Sequence, residues 1–284
     1  MPKKTYTIGI DIGGTKMLAI LFDGEKVIEE YILATPKDNV EHFFIMLNAL
    51  ISPLEEKARK NKIKIKGIGL GIAGTINYKE EKILDSPNIP IINNTEIITK
   101  LKEITNLPIF LDNDANCFLR AEKHLGAVQK YNNIYGIVIG TGIGGAWWFN
   151  NQIYQGAHGG AGEPGSMVIN FENGLELEEA YHRLTKNNPA LIAHEAYKGN
   201  MLAEKTFAEL GKDLGFALAN IVNILDPEVV VIGGGVSEVS DLFLSHTKKT
   251  MAKHIASSES QKIKILKSKL GKRAGAIGAA LLVE

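Results

Sequence analysis

Runs and alternations of apolar residues divide the chain into two series of elements. In the first, Thr-Tyr-Thr-Ile-Gly-Ile-Asp-Ile at 5–12, Lys-Met-Leu-Ala-Ile-Leu-Phe-Asp at 16–23 and the stretch 26–34 predict three strands. Gly13-Gly14-Thr15 and Asp23-Gly24 supply the turns between them. Over 39–60 the period changes: Val40, Phe43, Phe44, Leu47, Leu50, Ile51 and Leu54 share one helical face. A buried strand at Gly67–Ile72, a short helix over 95–105 and a strand at 108–112 complete the order β-β-β-α-β-α-β, a mixed sheet flanked by helices. The second series opens in the same way. Strands are predicted at 134–140, 145–149 and 152–155, helices at 176–184, 189–198 and 200–225, a strand at 228–232, a helix at 238–255, a strand at 262–267 and a helix at 272–283. The strand–glycine turn–strand–hairpin unit recurs about 127 positions on, from Gly13 to Gly140, as expected of a duplicated lobe. A cleft between two such lobes is an expected ligand site.

Composition narrows the chemistry. The 284 residues are 45% apolar and 23% charged, as in ordinary globular chains. Lys plus Arg and Asp plus Glu both number 32, so no net field draws nucleic acid or an anionic membrane. Cys117 is the single cysteine, which excludes an internal disulfide and any site built of several thiolates. The N-terminal run Met1-Pro2-Lys3-Lys4-Thr5-Tyr6 lacks the apolar core of a signal peptide, and no apolar stretch reaches the length of a membrane span. The expectation is a cytoplasmic protein that acts on a small molecule.

Three glycine turns carry the strongest signal. In Asp11-Ile12-Gly13-Gly14-Thr15-Lys16, glycines let backbone amides approach an anion, Thr15 adds a hydroxyl and Lys16 a charge. Asp11, at a strand end, could hold Mg²⁺ through water. The same residues would serve an ordinary hairpin. Gly140-Thr141-Gly142-Ile143-Gly144-Gly145 matches G-x-G-x-x-G, as does Gly69 to Gly74. Ala146-Trp147-Trp148-Phe149 then continues as a strand, which rules out a dinucleotide site and leaves a phosphate cradle. Val229 to Ile232 leads into Gly233-Gly234-Gly235, a strand, a triple glycine and a helix start that suit a flat ring and a phosphate, or only a close helix–strand crossing.

The carboxylates suggest acid–base chemistry. In Phe110-Leu111-Asp112-Asn113-Asp114-Ala115 a strand gives way to a helix. Either Asp112 or Asp114 could cap that helix or act as a general base at the strand's C-terminal end. The loop Gly156 to Met167 has five glycines within ten residues, and one carboxylate, Glu163. Glu176, Glu178 and Glu179 open a helix, where acidic residues favour the dipole whatever else they do. Asn88 lies in a polar loop and alone reads as a turn former.

Taken together, Asp11 to Lys16, Asn113-Asp114, Gly140 to Gly144, Ala161-Gly162-Glu163 and Gly233 to Gly235 resemble, over nearly the whole chain, the ROK family of sugar kinases and repressors. The resemblance implies an α/β protein with two ribonuclease H-like lobes, the actin-like ATPase fold, and an interlobe cleft. Its expected division is 1–112 plus 270–284 against 113–269. It further implies ATP with Mg²⁺, and phosphorylation of a hexose, foremost the 6-hydroxyl of glucose, with Asp114 as the base. Asn88, Asn113, Asp114, Glu163 and Glu179 would hold the sugar. Asp11, Gly13, Gly14, Thr15, Lys16, Gly140, Thr141, Gly142, Gly233, Gly234 and Gly235 would hold the nucleotide, with Asp11 on Mg²⁺ through water. Sugar and ATP are the expected partners, with neither nucleic acid nor membrane; homodimers are frequent in the family, and the sequence leaves the oligomeric state open.

One departure bears on specificity. The family commonly has Glu-x-Gly-His followed by a three-cysteine zinc cluster. Here Glu163-Pro164-Gly165-Ser166 is followed by no cysteine, so no structural zinc is expected and the helix carrying Glu179 must be held by packing of Leu175, Leu177 and Tyr181. Ser166 in place of His could leave room for an N-acyl hexosamine such as N-acetylglucosamine or N-acetylmannosamine. A sugar-sensing repressor would carry a DNA-binding module before the first phosphate motif, which here begins at Asp11. That weakens the regulator reading, and intact Asp11, Gly13-Gly14-Thr15 and Asp114 argue against a silent sugar binder.

Overall fold

The computed structural model describes residues 5–283; the first four residues and Glu284 lie outside the described residues, and with them the start of the N-terminal run and the end of the expected C-terminal segment. Two compact units emerge. One contains the residues up to Gln129, Ile153–Ala161 and the residues from Lys269 on; the other contains Lys130–Gln152 and Gly162–Ser268.

The first unit is built on β1 (Tyr6–Ile12), β2 (Lys16–Phe22), β3 (Val27–Ala34), α1 (Val40–Lys60), β4 (Ile65–Ile72), the hairpin β5 (Thr75–Asn77) and β6 (Lys82–Asp85), α2 (Ile97–Leu101), β7 (Ile109–Asn113) and α3 (Asp114–His124). Its five-stranded sheet runs β3-β2-β1-β4-β7. β1 is antiparallel to β2 and parallel to β4, and β4 is parallel to β7. Ile8, Ile10, Ile12, Ile68, Leu70 and Ile72 are all fully buried. These strands are near-continuous apolar runs because layers cover both faces, whereas β3, at the edge, has no fully buried residue. Helix α1 presents Phe43, Leu47, Leu50, Ile51 and Leu54 to the core, as its period predicts, and Asn39 caps it by accepting from His42 N at 2.8 Å.

The second unit repeats the plan. It contains β8 (Ile134–Ile139), β9 (Ile143–Phe149), β10 (Gln152–Ile153), the hairpin β11 (Val168–Asn170) and β12 (Leu175–Glu176), α4 (Leu177–Thr185), α5 (Pro189–Tyr197), α6 (Met201–Leu225), β13 (Val229–Gly233), α7 (Leu244–His254) and β14 (Lys264–Lys267). Its sheet runs β10-β9-β8-β13-β14, the same order with the same switch from antiparallel to parallel pairing at its first strand. Helix α8 (Ala274–Ala280) closes the chain on the first unit. There the strand glycines admit it: a Cβ on Gly9 would lie 2.0 Å from Ala276 O, and one on Gly69 1.8 Å from Ala279 O. The glycines of Gly69–Gly74 thus begin with a helix crossing. Helix α3 belongs with this unit because Gly278 lets α8 meet the backbone of Cys117, and because the buried Glu122 carboxylate accepts from Ala127 N, Lys269 N and Leu270 N.

Three features differ from the sequence pattern. The β5–β6 and β11–β12 hairpins are too short to leave a periodic signal. The strand predicted at 145–149 begins at Ile143, so part of the glycine turn is itself paired. The helix expected over 238–255 is broken: residues Gly235–Leu242 form a 3₁₀ segment with non-helical Val239, and α7 starts only at Leu244. At the break Phe243 has φ −130°, and its fully buried ring stacks on Phe207. Among the described residues no helix is long and apolar enough to cross a membrane.

Candidate functional site

In the first unit the candidate residues gather at the C-terminal ends of β1, β4 and β7, where parallel sheets present their ligand sites. The Gly13–Lys16 turn is a tight hairpin: Gly13 N donates to Lys16 O at 3.1 Å, Thr35 N to Thr15 O at 3.1 Å, and the Thr35 hydroxyl to Gly13 O at 2.7 Å. Neither Gly13 nor Gly14 has positive φ. Gly14 is required by contact instead, since a Cβ there would lie 2.7 Å from the Asn88 Cβ. Sequence-distant Asn88 therefore sits directly on the turn, in a loop fixed by Ile89 N on Ser86 O, by the Ser86 hydroxyl on Ala73 O, and by Lys37 Nζ on Asn88 O. Thr15 and Lys16 are exposed.

Asp112 and Asp114 have different surroundings. Asp112 is buried and saturated: its Oδ1 accepts from Tyr78 Oη, Asn113 N and Asn116 Nδ2, each at 2.8 Å, and its Oδ2 from Arg120 at 3.2 Å. Such a carboxylate braces structure. Burial, followed by the Asp112 charge, pushes the Tyr78 phenol far up, so Tyr78 remains a donor. Asn113 is the cap of α3, accepting from Ala115 N at 2.8 Å and Asn116 N at 3.2 Å, while its amide donates to Gly74 O at 3.0 Å. Capping of this kind contributes about 1 kcal/mol. Asp114 is thereby released from capping. It is the first helical residue, half-buried, and its Oδ1 accepts from Ala115 N at 2.9 Å. Burial pushes its carboxyl up to about 6, against the lowering effect of that amide.

Asp11 stands beside it. Burial, then the Asp114 charge, pushes the Asp11 carboxyl up to about 7, with Lys16 pulling the other way. A Cβ on Gly275 would lie 2.6 Å from that carboxylate, so α8 touches Asp11 only because this residue is glycine. Two crowded acids with oxygen donors suit a hard cation, and Mg²⁺ bound through water fits the set. The crowding also has a stability consequence. The folded pKa of Asp11 is raised above its ordinary 3.8, so its contribution is fully present below about pH 4 and is lost as pH rises through 7. Asp11→Asn, neutral throughout, is expected to raise the melting temperature of the metal-free protein at pH 8 by a few degrees, roughly 2–4 °C for each kcal/mol of burial and repulsion penalty relieved, and to leave it nearly unchanged at pH 4. Calorimetry at the two pH values checks this; equal shifts at both would refute it.

In the second unit, Gly140 N donates to Gly142 O at 2.9 Å to close the turn, and a Cβ on Gly140 would meet nothing within 4 Å. Gly235 is equally open, while Gly234 has φ +80° and abuts Ile139 O; this is the one position in the three turns where positive φ requires glycine. Ser237 N and Oγ both donate to Gly234 O, fixing the Gly233–Gly235 bend at 3.1 and 2.7 Å. Glu163 is exposed at the start of a 3₁₀ turn, and its charge, after burial, raises the buried Tyr135 phenol. Glu179 is exposed on α4 and paired with Arg183. Its neighbour Glu178, which the sequence reading treats as a dipole partner, turns toward Gly142 and Gly165 instead. Among the described residues no group of three or more His, Cys, Asp or Glu side chains is arranged to hold a metal ion. Sequence reasoning missed Glu178, Tyr78 and Gly275; only Gly275, a glycine inside an apolar helix, left a signal.

Two α/β units with one strand order, each carrying a glycine turn after its first strand, define the actin-like ATPase class of fold. Within that class the sequence model of the ROK family matches residues 7–176 and 173–284, and the chain belongs to that family. It is 32% identical over 96% of its length to an N-acetyl-D-glucosamine kinase of Mannheimia succiniciproducens, covering 98% of that protein. It is 28% identical over 97% of its length to a xylose repressor of Caldicellulosiruptor bescii, covering 77% of that one. Among solved structures it resembles a ROK glucokinase of Streptomyces griseus in complex with glucose and AMPPNP, with a TM-score of 0.83, 26% identity and 98% of both chains covered.

Proposed function

We propose that this protein is an ATP-dependent hexose kinase in which Asp114 removes the proton from the sugar hydroxyl as it attacks the terminal phosphate. The observation that carries the reading is the contrast between two neighbouring carboxylates: Asp112 is saturated by four donors, while Asp114 is half-buried, raised to about 6 and held by a helix amide. A base of that pKa is ionised at neutral pH yet takes up a proton readily. Asn113 fixes the helix start on which the base rides, and Asn88, packed on Gly14, would orient the sugar beside it. Glu163 and Glu179 are the proposed further sugar contacts. The amides of the Gly13–Thr15 and Gly140–Gly142 turns would face phosphate oxygens, and Gly233–Gly235 would lie against the adenine ring. Magnesium, when bound, neutralises phosphate charge, and Asp11 would hold it through water. The protein's part is then mainly positioning and charge placement.

Glucose, phosphorylated at its 6-hydroxyl, is the first candidate. An N-acyl hexosamine is the second, favoured by the exposed Ser166 in the Glu163-Pro164-Gly165-Ser166 turn and by the kinship with an N-acetyl-D-glucosamine kinase. The purified protein is to be assayed with MgATP and glucose, mannose, fructose, N-acetylglucosamine and N-acetylmannosamine. The sugar with the highest kcat/KM identifies the substrate. Binding of a sugar by calorimetry with turnover of none would overturn the kinase reading and favour the regulator that kinship with a xylose repressor also suggests.

A further inference from the structure

The Gly140–Gly145 turn has almost no side chains of its own with which to hold a shape. Besides its own Gly140 N to Gly142 O bond and the pairing of Ile143–Gly145 with β8, it is tied from helix α4. Glu178 Oε2 accepts from Ile143 N at 2.5 Å, and the Tyr181 hydroxyl donates to Gly140 O at 2.7 Å. His182 Nε2 stands 3.6 Å from the other Glu178 oxygen. The carboxylate can reach the turn because two neighbours lack side chains: a Cβ on Gly142 would lie 2.4 Å from Glu178 Oε2, and one on Gly165 3.2 Å from it. Burial and the Glu178 charge push the Tyr181 phenol up to about 12, which keeps it a donor. The helix has its own anchorage in buried Leu177, Ala180 and Tyr181, so its packing does not depend on the Glu178 tie.

We propose that Glu178 and Tyr181 are positioning residues for the phosphoryl donor: from α4 they set the Gly140–Gly145 turn in the shape that receives phosphate. The inference rests on the kinase reading above and goes further by tying the nucleotide turn to the helix that also bears Glu179. The test is calorimetric binding of AMPPNP with magnesium, and separately of glucose and N-acetylglucosamine, to the wild type and to Glu178→Ala, Glu178→Gln and Tyr181→Phe, with folding checked by circular dichroism. Loss of one charge-assisted hydrogen bond to the turn should weaken AMPPNP about ten-fold in Glu178→Ala and less in Tyr181→Phe, with sugar affinity within two-fold of wild type. Glu178→Gln, whose amide oxygen can still accept from Ile143 N, should restore most of the nucleotide affinity. Equal losses for nucleotide and sugar would mark a merely structural role and overturn the proposal. So would unchanged AMPPNP binding in Glu178→Ala, or tighter binding in Glu178→Gln, which would mean that the carboxylate acts by repelling phosphate. A wild type that binds no AMPPNP overturns the kinase reading itself, and this inference with it.

Discussion

Asp114→Asn should lower kcat by about 10²–10⁴-fold, the range that a positioned general base supplies, while sugar binding stays within a few-fold of wild type. The substitution is chosen because the amide oxygen can still accept from Ala115 N, so the start of α3 is preserved. It also removes one of two crowded acids, since the Asp114 charge contributes to raising Asp11, and the variant should therefore be no less stable than wild type at neutral pH. Loss of turnover without loss of folding or of sugar affinity is what a base predicts and a structural residue does not. The pH profile gives a second check. The base works ionised, so log kcat/KM of the wild type should fall toward unit slope below about pH 6, and Asp114→Asn should lack that limb. Bound magnesium would favour the ionised form and move the corresponding limb in kcat lower. A kcat within ten-fold of wild type would end the assignment.

The duplicated plan was legible because strand runs such as Ile8–Ile12 and Val229–Ile232, buried on both faces, leave dense apolar signals beside glycine bends. The candidate site was legible where chemistry depends on residue type at fixed spacing: the Gly13-Gly14 turn, the strand-to-helix switch before Asp114, the triple glycine at 233–235. What escaped depends on three-dimensional partners. Spacing cannot separate Asp112 from Asp114; Tyr78, remote in sequence, and Arg120, two helical turns on, do that by helping to saturate the first. Nor can it tell that Glu178 faces the glycine turn while Glu179 faces Arg183, since adjacent helical positions differ by about 100° and the whole outcome follows from how α4 is rotated. The break before α7 escaped as well: it falls at Phe243, whose ring stacks on Phe207 of another helix, a partner that spacing does not reveal. Nor does residue type alone say why a glycine is needed: contact with Asn88, Glu178 or α8 explains Gly14, Gly142 and Gly69, and only Gly234 among the three turns needs its left-handed backbone.

That distinction gives the second large effect, at a residue with no part in chemistry. Gly69→Ala adds a Cβ 1.8 Å from Ala279 O and 2.6 Å from Ala279 C, a clash of backbone against backbone that no rotamer relieves. β4 cannot retreat, being hydrogen-bonded between β1 and β7. Helix α8 cannot retreat easily either, since Gly9 sets it against β1 and Gly278 sets it against Cys117 in α3. Overpacking typically costs about 1–3 kcal/mol, and with both walls rigid the loss here should reach the top of that range or exceed it. Gly160→Ala is the control: a Cβ there meets nothing within 4 Å and φ is not positive, so urea midpoints should barely change. If Gly69→Ala unfolds within about 1 kcal/mol of wild type, a difference readily resolved by urea titration, the account of α8 fails. The site would register the same strain. α8 meets the Asp11 carboxylate through Gly275, so a shift of that helix, even one too small to unfold the protein, moves the acid proposed to hold the metal. Any folded fraction of Gly69→Ala should therefore need more magnesium for half-maximal turnover than Gly160→Ala does, and a helix chosen for its small residues would prove to be one wall of the candidate site.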